Sequence, residues 1–546
     1  MRNPNRLSLL LSTLILSSAA GAATPVEQAD ALFAPYAKAD APGCAVSAWR
    51  DGKLLMEKGY GAASLEHEVA IDAQRTVFDI GSASKQFTAA AILLLVQDGK
   101  LKLDDDIRRH LPQLPDYGTK ITVDHLLRHT SGLRDYLILM NLGGVARGDV
   151  STNADALAAI ARQQGLNFQP GSAYSYSNTG YLLLAQIVEK ASGKSLAEFS
   201  RTRIFEPLGM QDTRVLDNHE TVVPHRATAY VPTGPASFAQ LMSTWEHTGD
   251  GAVQSTVADL AKWDANFYQP KVGGAWMVEQ LQATGKLNDG TPLNYARGLM
   301  VDKYKGMDIV YHGGAFVGYK SELMRLPKLK LGVAVLCNRP DLDPASLARK
   351  VADFYAAGDF PAAAAGAAEP QAVAVADPAR YAGVYWNVRE GMLRRVEAVD
   401  GKLWYTGPGM KQELLPVGDG RFVRDPKRTA KPATITERTL VVERPGEPAA
   451  RFERVTAAAV TPEQLALVAG AYDSAELNVT ITLKLKDGKL WMSIPRFDEQ
   501  PLVPVFADAF GTGGLVVRLE RDGSGKITGM VAYGGRANGM KLVRRG

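Results

Sequence analysis

The stretch of sequence that decides the fold of this chain is Phe78-Asp79-Ile80-Gly81-Ser82-Ala83-Ser84-Lys85. Residues 86–97 follow directly, are rich in Ala and Leu, and predict a helix. Residues three apart share one face of a helix, so this spacing brings the Ser82 hydroxyl next to the Lys85 amine. A buried lysine that has lost its proton can act as a base toward such a hydroxyl. The pattern predicts a serine nucleophile activated by a lysine, but the short motif alone is weak evidence.

A second set of polar residues lies further along the chain, at Tyr176-Ser177-Asn178. A Tyr and an Asn two positions apart on an irregular loop point the same way. The phenol of Tyr176 is suited to moving a proton, and the amide of Asn178 to binding a substrate carbonyl or orienting Lys85. An ordinary turn with Tyr176 as a packing residue is the alternative.

A third set follows a strand-like segment, at His312-Gly313-Gly314-Ala315. Two glycines allow a substrate backbone to lie close to a strand edge. The Ala315 N–H, together with the Ser82 N–H, is then suited to stabilising an oxyanion, with Gly314 beside it. A glycine-rich hairpin without function is the alternative.

In this order, the three sets resemble the S-x-x-K, Y-x-N and K-T-G motifs of penicillin-recognising serine enzymes. Flanking sequences match as well: Leu126-Leu127-Arg128-His129-Thr130-Ser131-Gly132-Leu133, Pro207-Leu208-Gly209-Met210 and Gly251-Ala252-Val253-Gln254-Ser255-Thr256. Residues 24–356 therefore resemble the class C β-lactamase and peptidase S12 family. The resemblance implies a β-lactamase/transpeptidase-like fold and an acyl-enzyme on Ser82. It leaves open whether Lys85 or Tyr176 is the base. It also implies that Tyr176, supported by His312, protonates the leaving group.

One departure from the family narrows the expected substrate. Where β-lactamases and carboxypeptidases carry a lysine that holds the substrate carboxylate, this chain has His312. Histidine is often neutral at physiological pH, so it should hold a carboxylate less firmly. His-x-Gly with two C-terminal barrels resembles the D-aminopeptidase branch of the family, in which the last domain sends a loop into the active site. Residues 506–514 are our candidate for that loop, with Asp508 neutralising a substrate ammonium, but a plain surface loop is the preferred interpretation of this segment.

Strand patterns lie at both ends of the first segment, at residues 44–50, 53–60, 308–312, 319–326 and 331–337. Helical patterns lie between them, at residues 86–97, 123–128 and 180–192. Strands at both ends with helices between predict an α+β domain, in which one antiparallel sheet is flanked by helices and completed by both termini.

The rest of the chain contains a repeat that follows an Ala- and Pro-rich linker. Ala382-Gly383-Val384-Tyr385 and Asp400-Gly401-Lys402-Leu403-Trp404 recur as Ala469-Gly470-Ala471-Tyr472 and Asp487-Gly488-Lys489-Leu490-Trp491. Short alternating segments with Asp-Gly turns predict two antiparallel β-barrels. The expected division is a signal peptide at 1–22, a catalytic domain at 23–356, a linker at 357–376, and barrels at 377–460 and 461–546.

The N-terminus and the composition indicate where the protein is located and which partners it has. A basic start, an apolar run at residues 7–16 and the small residues Ala20-Gly21-Ala22 predict an export signal that is too short to span a membrane. We therefore expect a periplasmic or secreted protein. The net charge of +4 over 546 residues argues against a nucleic-acid partner.

The remaining sequence features predict neither a cofactor nor a metal. His125 and His129 are four apart but have no recognisable third ligand. Cys44 and Cys337 are the only cysteines, and two buried thiols are preferred over one disulfide between neighbouring strands.

The function expected from the sequence is that of a D-stereospecific aminopeptidase on short peptides or amides. The expected partners are a small peptide, amide or ester substrate and, at most, a second copy in a homodimer. Alternatives are an esterase or amidase, and a D-Ala-D-Ala carboxypeptidase or β-lactamase. A non-catalytic binding protein is disfavoured, because all three motifs are intact.

Overall fold

The computed structural model describes residues 23–361, 373, 375, 377–407, 410–424, 433–444 and 447–546. The predicted signal peptide at 1–22 and most of the predicted linker at 357–376 lie outside the described residues.

The first domain contains both helices and strands. Its strands are β1 (Cys44–Arg50), β2 (Lys53–Tyr60), β3 (Ala62–Ser64), β4 (Val69–Ala70), β5 (Phe78–Asp79), β6 (Ser151–Thr152), β7 (Arg214–Val215), β8 (Tyr230–Gly234), β9 (Ser237–Gln240), β10 (Trp245–Glu246), β11 (Val253–Ser255), β12 (Met300–Tyr304), β13 (Met307–Phe316), β14 (Tyr319–Leu326) and β15 (Leu331–Cys337). Its helices are α1 (Pro25–Phe33), α2 (Lys85–Gln97), α3 (Val123–Leu127), α4 (Tyr136–Leu142), α5 (Asn153–Ala161), α6 (Asn178–Ser192), α7 (Leu196–Ser200), α8 (Glu206–Leu208), α9 (Val257–Ala265), α10 (Gly274–Gln282) and α11 (Pro344–Ala356).

The main sheet is antiparallel and runs in the order β12-β13-β14-β15-β1-β2. Strand β1, from the start of the domain, therefore pairs with β15 from its end, which confirms the predicted α+β fold. Every residue of β15 is buried, because α1 and α11 pack on one face of the sheet and the larger helical region on the other. The buried sheet is thus a rigid support for β13.

Helix α2 lies in the middle of the helical region. Its residues from Lys85 to Leu95 are all buried, as expected for a helix that is apolar on every side. A 3₁₀ turn at Gly81–Ser84 leads directly into it. The buried helix fixes Lys85, while Ser82 stays partly exposed on the turn.

Cys44 and Cys337 lie opposite each other on β1 and β15 and form a disulfide. The preferred interpretation from the sequence, two buried thiols, is therefore wrong, and the alternative of one disulfide between neighbouring strands is correct. The bridge joins residues 293 positions apart. Only the strand order and the register of β1 against β15 bring them together.

Two closed antiparallel barrels of eight strands each follow in the described residues, as the sequence predicted. The first consists of β16 (Gly383–Asn387), β17 (Met392–Val399), β18 (Lys402–Gly407), β19 (Met410–Gly418), β20 (Arg421–Arg424), β21 (Ala433–Ile435), β22 (Thr439–Arg444) and β23 (Glu447–Val455). The second is preceded by α12 (Pro462–Val468) and consists of β24 (Gly470–Ser474), β25 (Val479–Lys486), β26 (Lys489–Ser493), β27 (Gln500–Phe506), β28 (Ala509–Thr512), β29 (Leu515–Arg521), β30 (Ile527–Tyr533) and β31 (Asn538–Arg544).

The repeat in the sequence corresponds to a repeated contact at the closure of each barrel. The Tyr385 hydroxyl donates to the carbonyl oxygen of Tyr381, four residues earlier, at 2.8 Å. The Tyr472 hydroxyl donates in the same way to Val468 at 2.7 Å. Each buried tyrosine thereby ties the first strand of its barrel to the segment that enters it.

The second barrel is joined to the catalytic domain by a buried ion pair. Arg134 Nη1 lies 2.5 Å from Glu476 Oε1, and both side chains are about 5% exposed or less. Arg134 also donates to the carbonyl oxygens of Asn538 and Gly539 at 2.8 and 3.0 Å. These contacts hold the turn between β30 and β31 against the catalytic domain.

Among the described residues, no helix combines the length and the apolar character needed to cross a bilayer.

Candidate active site

Ser82 lies at the bottom of a cavity of about 780 Å³, a volume typical of small-ligand sites. Tyr176, Asn178 and His312 line the same cavity, so the structure brings the three motifs together. Lys85 lies beneath it and is fully buried. The Lys85 Nζ atom is 3.2 Å from Ser82 Oγ, close enough for direct proton transfer.

Two carbonyl oxygens fix the Lys85 amine. Nζ lies 3.0 Å from Asn178 Oδ1 and 2.6 Å from the backbone oxygen of Asp250. Both oxygens only accept hydrogen bonds, so they take two of the N–H groups and leave the third position of the nitrogen toward Ser82. When the amine is neutral, that position is its lone pair. The arrangement therefore suits a base that acts on the serine hydroxyl.

The amide of Asn178 is held on both sides. Its oxygen accepts from Lys85, and its Nδ2 donates to Asp135 Oδ2 at 3.1 Å, which also accepts from the Asn178 backbone N–H at 2.9 Å. Of the two roles considered from the sequence, the structure thus places Asn178 as a residue that orients Lys85.

Asp250 continues this network behind the lysine. Its Oδ2 accepts from the Tyr136 hydroxyl at 3.1 Å, and that hydroxyl lies 3.2 Å from Nδ1 of His247. Burial raises the pKa of Asp250 to about 6, opposed by the positive charge of Lys85. Burial also lowers the pKa of His247 to about 4.

Tyr176 lies in the loop before α6 and packs on the His129 ring, with ring centroids 4.2 Å apart. The Lys85 Nζ atom is 4.9 Å from the Tyr176 ring centroid, which favours a cation beneath the ring. The Tyr176 hydroxyl is buried and has no hydrogen-bond partner in the described part of the chain. A buried hydroxyl without a partner at the wall of a cavity is suited to a group supplied by the substrate.

The surroundings of His312 favour its neutral form. Its Nδ1 lies 2.7 Å from the Gly313 carbonyl oxygen, which only accepts, so Nδ1 carries the proton and Nε2 accepts from the Tyr295 hydroxyl at 3.1 Å. Burial, followed by the nearby charge of Lys85, lowers the pKa of His312 to about 4. Both ring nitrogens are occupied by these partners, and the contact of His312 with Tyr176 is one between the rings, with centroids 6.3 Å apart.

The oxyanion donors predicted from the sequence lie on facing backbones. A Cβ atom built on Gly81 would lie 2.7 Å from the Ala315 nitrogen, and one built on Gly314 only 1.8 Å from the carbonyl oxygen of Ile80. Only glycine permits this approach of β13 to the turn that carries Ser82. The Ala315 nitrogen therefore faces that turn, where Ser82 contributes its own N–H.

The structure places Asp508 away from this cavity. Residues 506–514 do not form a loop into the active site, because Gln500–Phe506 and Ala509–Thr512 are consecutive strands of the second barrel. Asp508 lies at the turn between them and forms an ion pair with Arg521 at 2.8 Å. The hypothesis of an active-site loop is therefore wrong, because the glycines of this segment belong to a barrel hairpin, and the preferred interpretation of a plain surface loop agrees with the exposed turn at Asp508.

A different hairpin of the second barrel reaches the cavity, namely the turn between β30 and β31 at residues 534–537. Its Arg536 lines the cavity together with Ser82 and Tyr176. The Arg536 carbonyl oxygen accepts from the backbone N–H of Asp135 at 3.0 Å and from Asn167 Nδ2 at 2.8 Å. A Gly-Gly pair before Arg536, between two strand patterns, was the signal in the sequence that pointed to this turn.

No group of three or more His, Cys, Asp or Glu side chains suited to a metal occurs in the described ranges. His125 Nδ1 accepts from the Thr122 N–H at 3.2 Å and caps α3. His129 Nδ1 accepts from the Ser177 N–H at 3.1 Å, and burial lowers its pKa well below the usual value. Both histidines thus have structural partners.

The fold and this site define a serine hydrolase with a β-lactamase-like catalytic domain. A profile described as Beta-lactamase matches residues 29–357. The chain is therefore a member of the Beta-lactamase family, as its motifs predicted.

Relatives with known names extend the likeness beyond the catalytic domain. A D-aminopeptidase of Gluconobacter oxydans (strain 621H) is 29% identical over 471 residues, covering 84% of this chain and 85% of that protein. Penicillin-binding protein 4* of Bacillus subtilis (strain 168) is 31% identical over 398 residues, covering 69% and 86%. The octameric penicillin-binding protein homologue from Pyrococcus abyssi shares the fold, with a TM-score of 0.56 at 22% identity, over 87% of this chain and 99% of that one.

Proposed function

We propose that the protein is a D-stereospecific aminopeptidase that cleaves short peptides or amides through an acyl-enzyme on Ser82. The observation that carries the proposal is the neutral His312 at the position where related carboxypeptidases and β-lactamases carry a cation. A neutral imidazole on β13 offers no charged partner to the carboxylate of a peptide C-terminus. The D-aminopeptidase of Gluconobacter oxydans, which matches over 84% of this chain, supports the same assignment.

The site geometry supports a two-step reaction. Lys85 in its neutral form accepts the Ser82 proton as the oxygen attacks the substrate carbonyl, and the N–H groups of Ser82 and Ala315 stabilise the oxyanion. The unpartnered hydroxyl of Tyr176 then donates a proton to the leaving amine and is restored by the proton that Lys85 took from Ser82. Water hydrolyses the acyl-enzyme and restores Ser82.

We also propose that the protein is exported to the periplasm or beyond. The basic and apolar N-terminus supports export. The disulfide between Cys44 and Cys337 supports an oxidising compartment, because structural disulfides are rare in the cytosol. Measuring the mass of the mature N-terminus in a periplasmic fraction tests this, and an uncleaved chain in the cytosol contradicts it.

A substrate panel with the purified mature protein tests the activity. It compares D-Ala-p-nitroanilide with its L-enantiomer, its N-acetylated form, a short-chain p-nitrophenyl ester and a chromogenic cephalosporin. We expect turnover of the D-anilide to exceed that of the other amides and of the cephalosporin, and Ser82→Ala to abolish it. Equal rates on both enantiomers, or faster cleavage of the N-acetylated form, would contradict an aminopeptidase of D-specificity. Faster turnover of the ester alone would indicate an esterase.

A further inference from the structure

The acidic and the basic side chains that line the cavity differ in their exposure and in their state of charge. Its carboxyl groups include Asp79, Asp250 and Glu322, which are all less than 9% exposed. Burial raises their pKa values to about 7, 6 and 7, so each is partly protonated near neutral pH. A fourth, Asp343, accepts from the backbone N–H of Ser346 and caps α11.

The cations that line the cavity outnumber its one exposed acid, Asp343, and are more accessible than the three buried acids. They are Arg226, Lys320 and Arg536, each of intermediate exposure. The accessible charge of the cavity is therefore positive, which favours a substrate that carries a negative group.

Among these cations, Arg536 lies on the side of the cavity formed by Tyr176. Its guanidinium carbon is 5.8 Å from the centroid of the Tyr176 ring. Its Nη1 lies 3.6 Å from Asp135 Oδ2, an oxygen that already accepts twice from Asn178. Since Arg carries five N–H groups, this single long contact leaves donors available to a ligand in the cavity that Arg536 lines.

The position of Arg536 is fixed by its backbone. Its carbonyl oxygen is held by Asp135 and Asn167, and the next strand is anchored by the buried pair of Arg134 and Glu476. A side chain on such a support is held in place before a ligand arrives, which reduces the entropy lost on binding.

The chemistry of the leaving group connects Arg536 with Tyr176. In the proposed function, Tyr176 gives its proton to the nitrogen of the residue that leaves. In a dipeptide, the free carboxylate of that residue is only one carbon away from this nitrogen. A guanidinium above the Tyr176 ring is therefore within reach of that carboxylate and can bind it through two parallel N–H groups.

We propose that Arg536, supplied by the second barrel, binds the α-carboxylate of the leaving residue and makes dipeptides with a free C-terminus the preferred substrates. The inference rests on the proposed function. It assigns to a loop of another domain the carboxylate recognition that His312 on β13 does not provide.

The test compares D-Ala-Gly with its C-terminal amide, D-Ala-Gly-NH₂, and measures the released glycine or glycinamide. The wild-type protein should show the lower KM for the free acid. Arg536→Met should raise the KM for the free acid on the order of 10- to 100-fold, as expected for the loss of a charge-assisted pair, and raise that for the amide much less. Arg536→Lys should restore part of the preference, because it keeps the charge but not the fork geometry.

Arg521→Met is the matched control, because Arg521 lies in the same barrel and pairs with Asp508 outside the cavity. It should leave both KM values unchanged. A wild-type protein that cleaves D-Ala-p-nitroanilide but treats both dipeptide substrates alike overturns the inference and leaves the proposed function standing. Loss of the preference in Arg226→Met but not in Arg536→Met also overturns it. Failure to cleave any D-alanyl substrate rejects the proposed function itself, and the inference with it.

Discussion

The Lys85 amine nitrogen lies 3.2 Å from the Ser82 hydroxyl oxygen, where the 3₁₀ turn that carries Ser82 leads into the buried start of α2 at Lys85. Because Asn178 and Asp250 hold the amine from the other side, the pair is assembled before any substrate arrives. Catalysis of acyl transfer gains from groups that need no rearrangement at the moment of reaction.

Replacing Lys85 should stop acylation of Ser82. Lys85→Met keeps the length of the side chain but removes the base, so we expect kcat/KM on D-Ala-p-nitroanilide to fall by about 10²- to 10⁴-fold. Mass spectrometry with an acylating probe should show no adduct in the same time. Lys350→Met, at an exposed position of α11, is the control and should react like the wild type. A Lys85→Met protein that acylates at the normal rate would exclude Lys85 as the base.

Replacing Tyr176 should discriminate between leaving groups. Tyr176→Phe removes a hydroxyl that has no partner, so the free energy of unfolding should hardly change. Cleavage of an anilide needs a proton on the leaving nitrogen and should slow by about 10²- to 10⁴-fold, whereas a p-nitrophenyl ester should be affected much less. Tyr355→Phe, which removes another buried hydroxyl without a partner, is the matched control. An equal loss on ester and anilide would argue against a leaving-group role.

The neutral state of His312 should appear in the pH dependence of stability. Its pKa is about 4 when folded and about 6.5 when unfolded, so the unfolded chain binds the proton more readily. The stabilisation of the folded state by neutral His312 is fully present above pH 6.5 and is lost as the pH falls toward 4. It amounts to on the order of 3 kcal/mol in total. The Tm of His312→Gln should therefore fall less between pH 7 and pH 4 than that of the wild type. The exposed His67→Gln control should follow the wild type, and an identical fall in His312→Gln would contradict the neutral assignment.

Reduction of the disulfide should lower stability. The bridge between Cys44 and Cys337 closes a loop of 293 residues, and bridges over long loops contribute about 2–5 kcal/mol by restricting the unfolded chain. A thiol titration of the denatured, unreduced protein should find no free thiol. The double variant Cys44→Ala/Cys337→Ala should have a lower Tm than the wild type, and reductant should change the Tm of the wild type only. Two titratable thiols would show that the bridge does not form.

The buried pair of Arg134 and Glu476 should couple the second barrel to the catalytic domain. Arg134→Met leaves Glu476 buried without its partner, and removal of one member of such a pair costs about 3–5 kcal/mol. Combining it with Glu476→Met should cost less than the sum of the two single variants, because no isolated charge remains. Additive losses in chemical denaturation would mean that the two residues act separately.

Much of the fold could be predicted from local sequence. The spans of β1, β2, β14 and β15 agree with the predicted residue ranges, since alternating or continuous apolar residues between turns define strands locally. The two barrels were predicted from a repeat in the sequence. The contact between Ser82 and Lys85 was predicted from helical spacing.

Features that depend on long-range register could not be predicted in the same way. The disulfide requires β1 to pair with β15, and Asp250 reaches Lys85 through its backbone oxygen, which any residue type would provide. The choice of residues 506–514 as the active-site loop failed because glycine content does not show which end of a barrel faces another domain. That orientation is set by Arg134 and Glu476, whose partnership is visible only in the folded chain.

The entry of Arg536 into the cavity has a consequence for how such proteins diverge. The nucleophile and its base belong to one domain, whereas one wall of the cavity is the tip of a hairpin from a separate closed barrel. Substitutions of the Arg536 side chain change that wall while the backbone contacts of the hairpin with Asp135 and Asn167 remain possible. Exchange of the terminal barrel is therefore a route by which one hydrolytic centre acquires a different substrate specificity. Chimeric proteins that exchange this barrel reproduce the route in the laboratory.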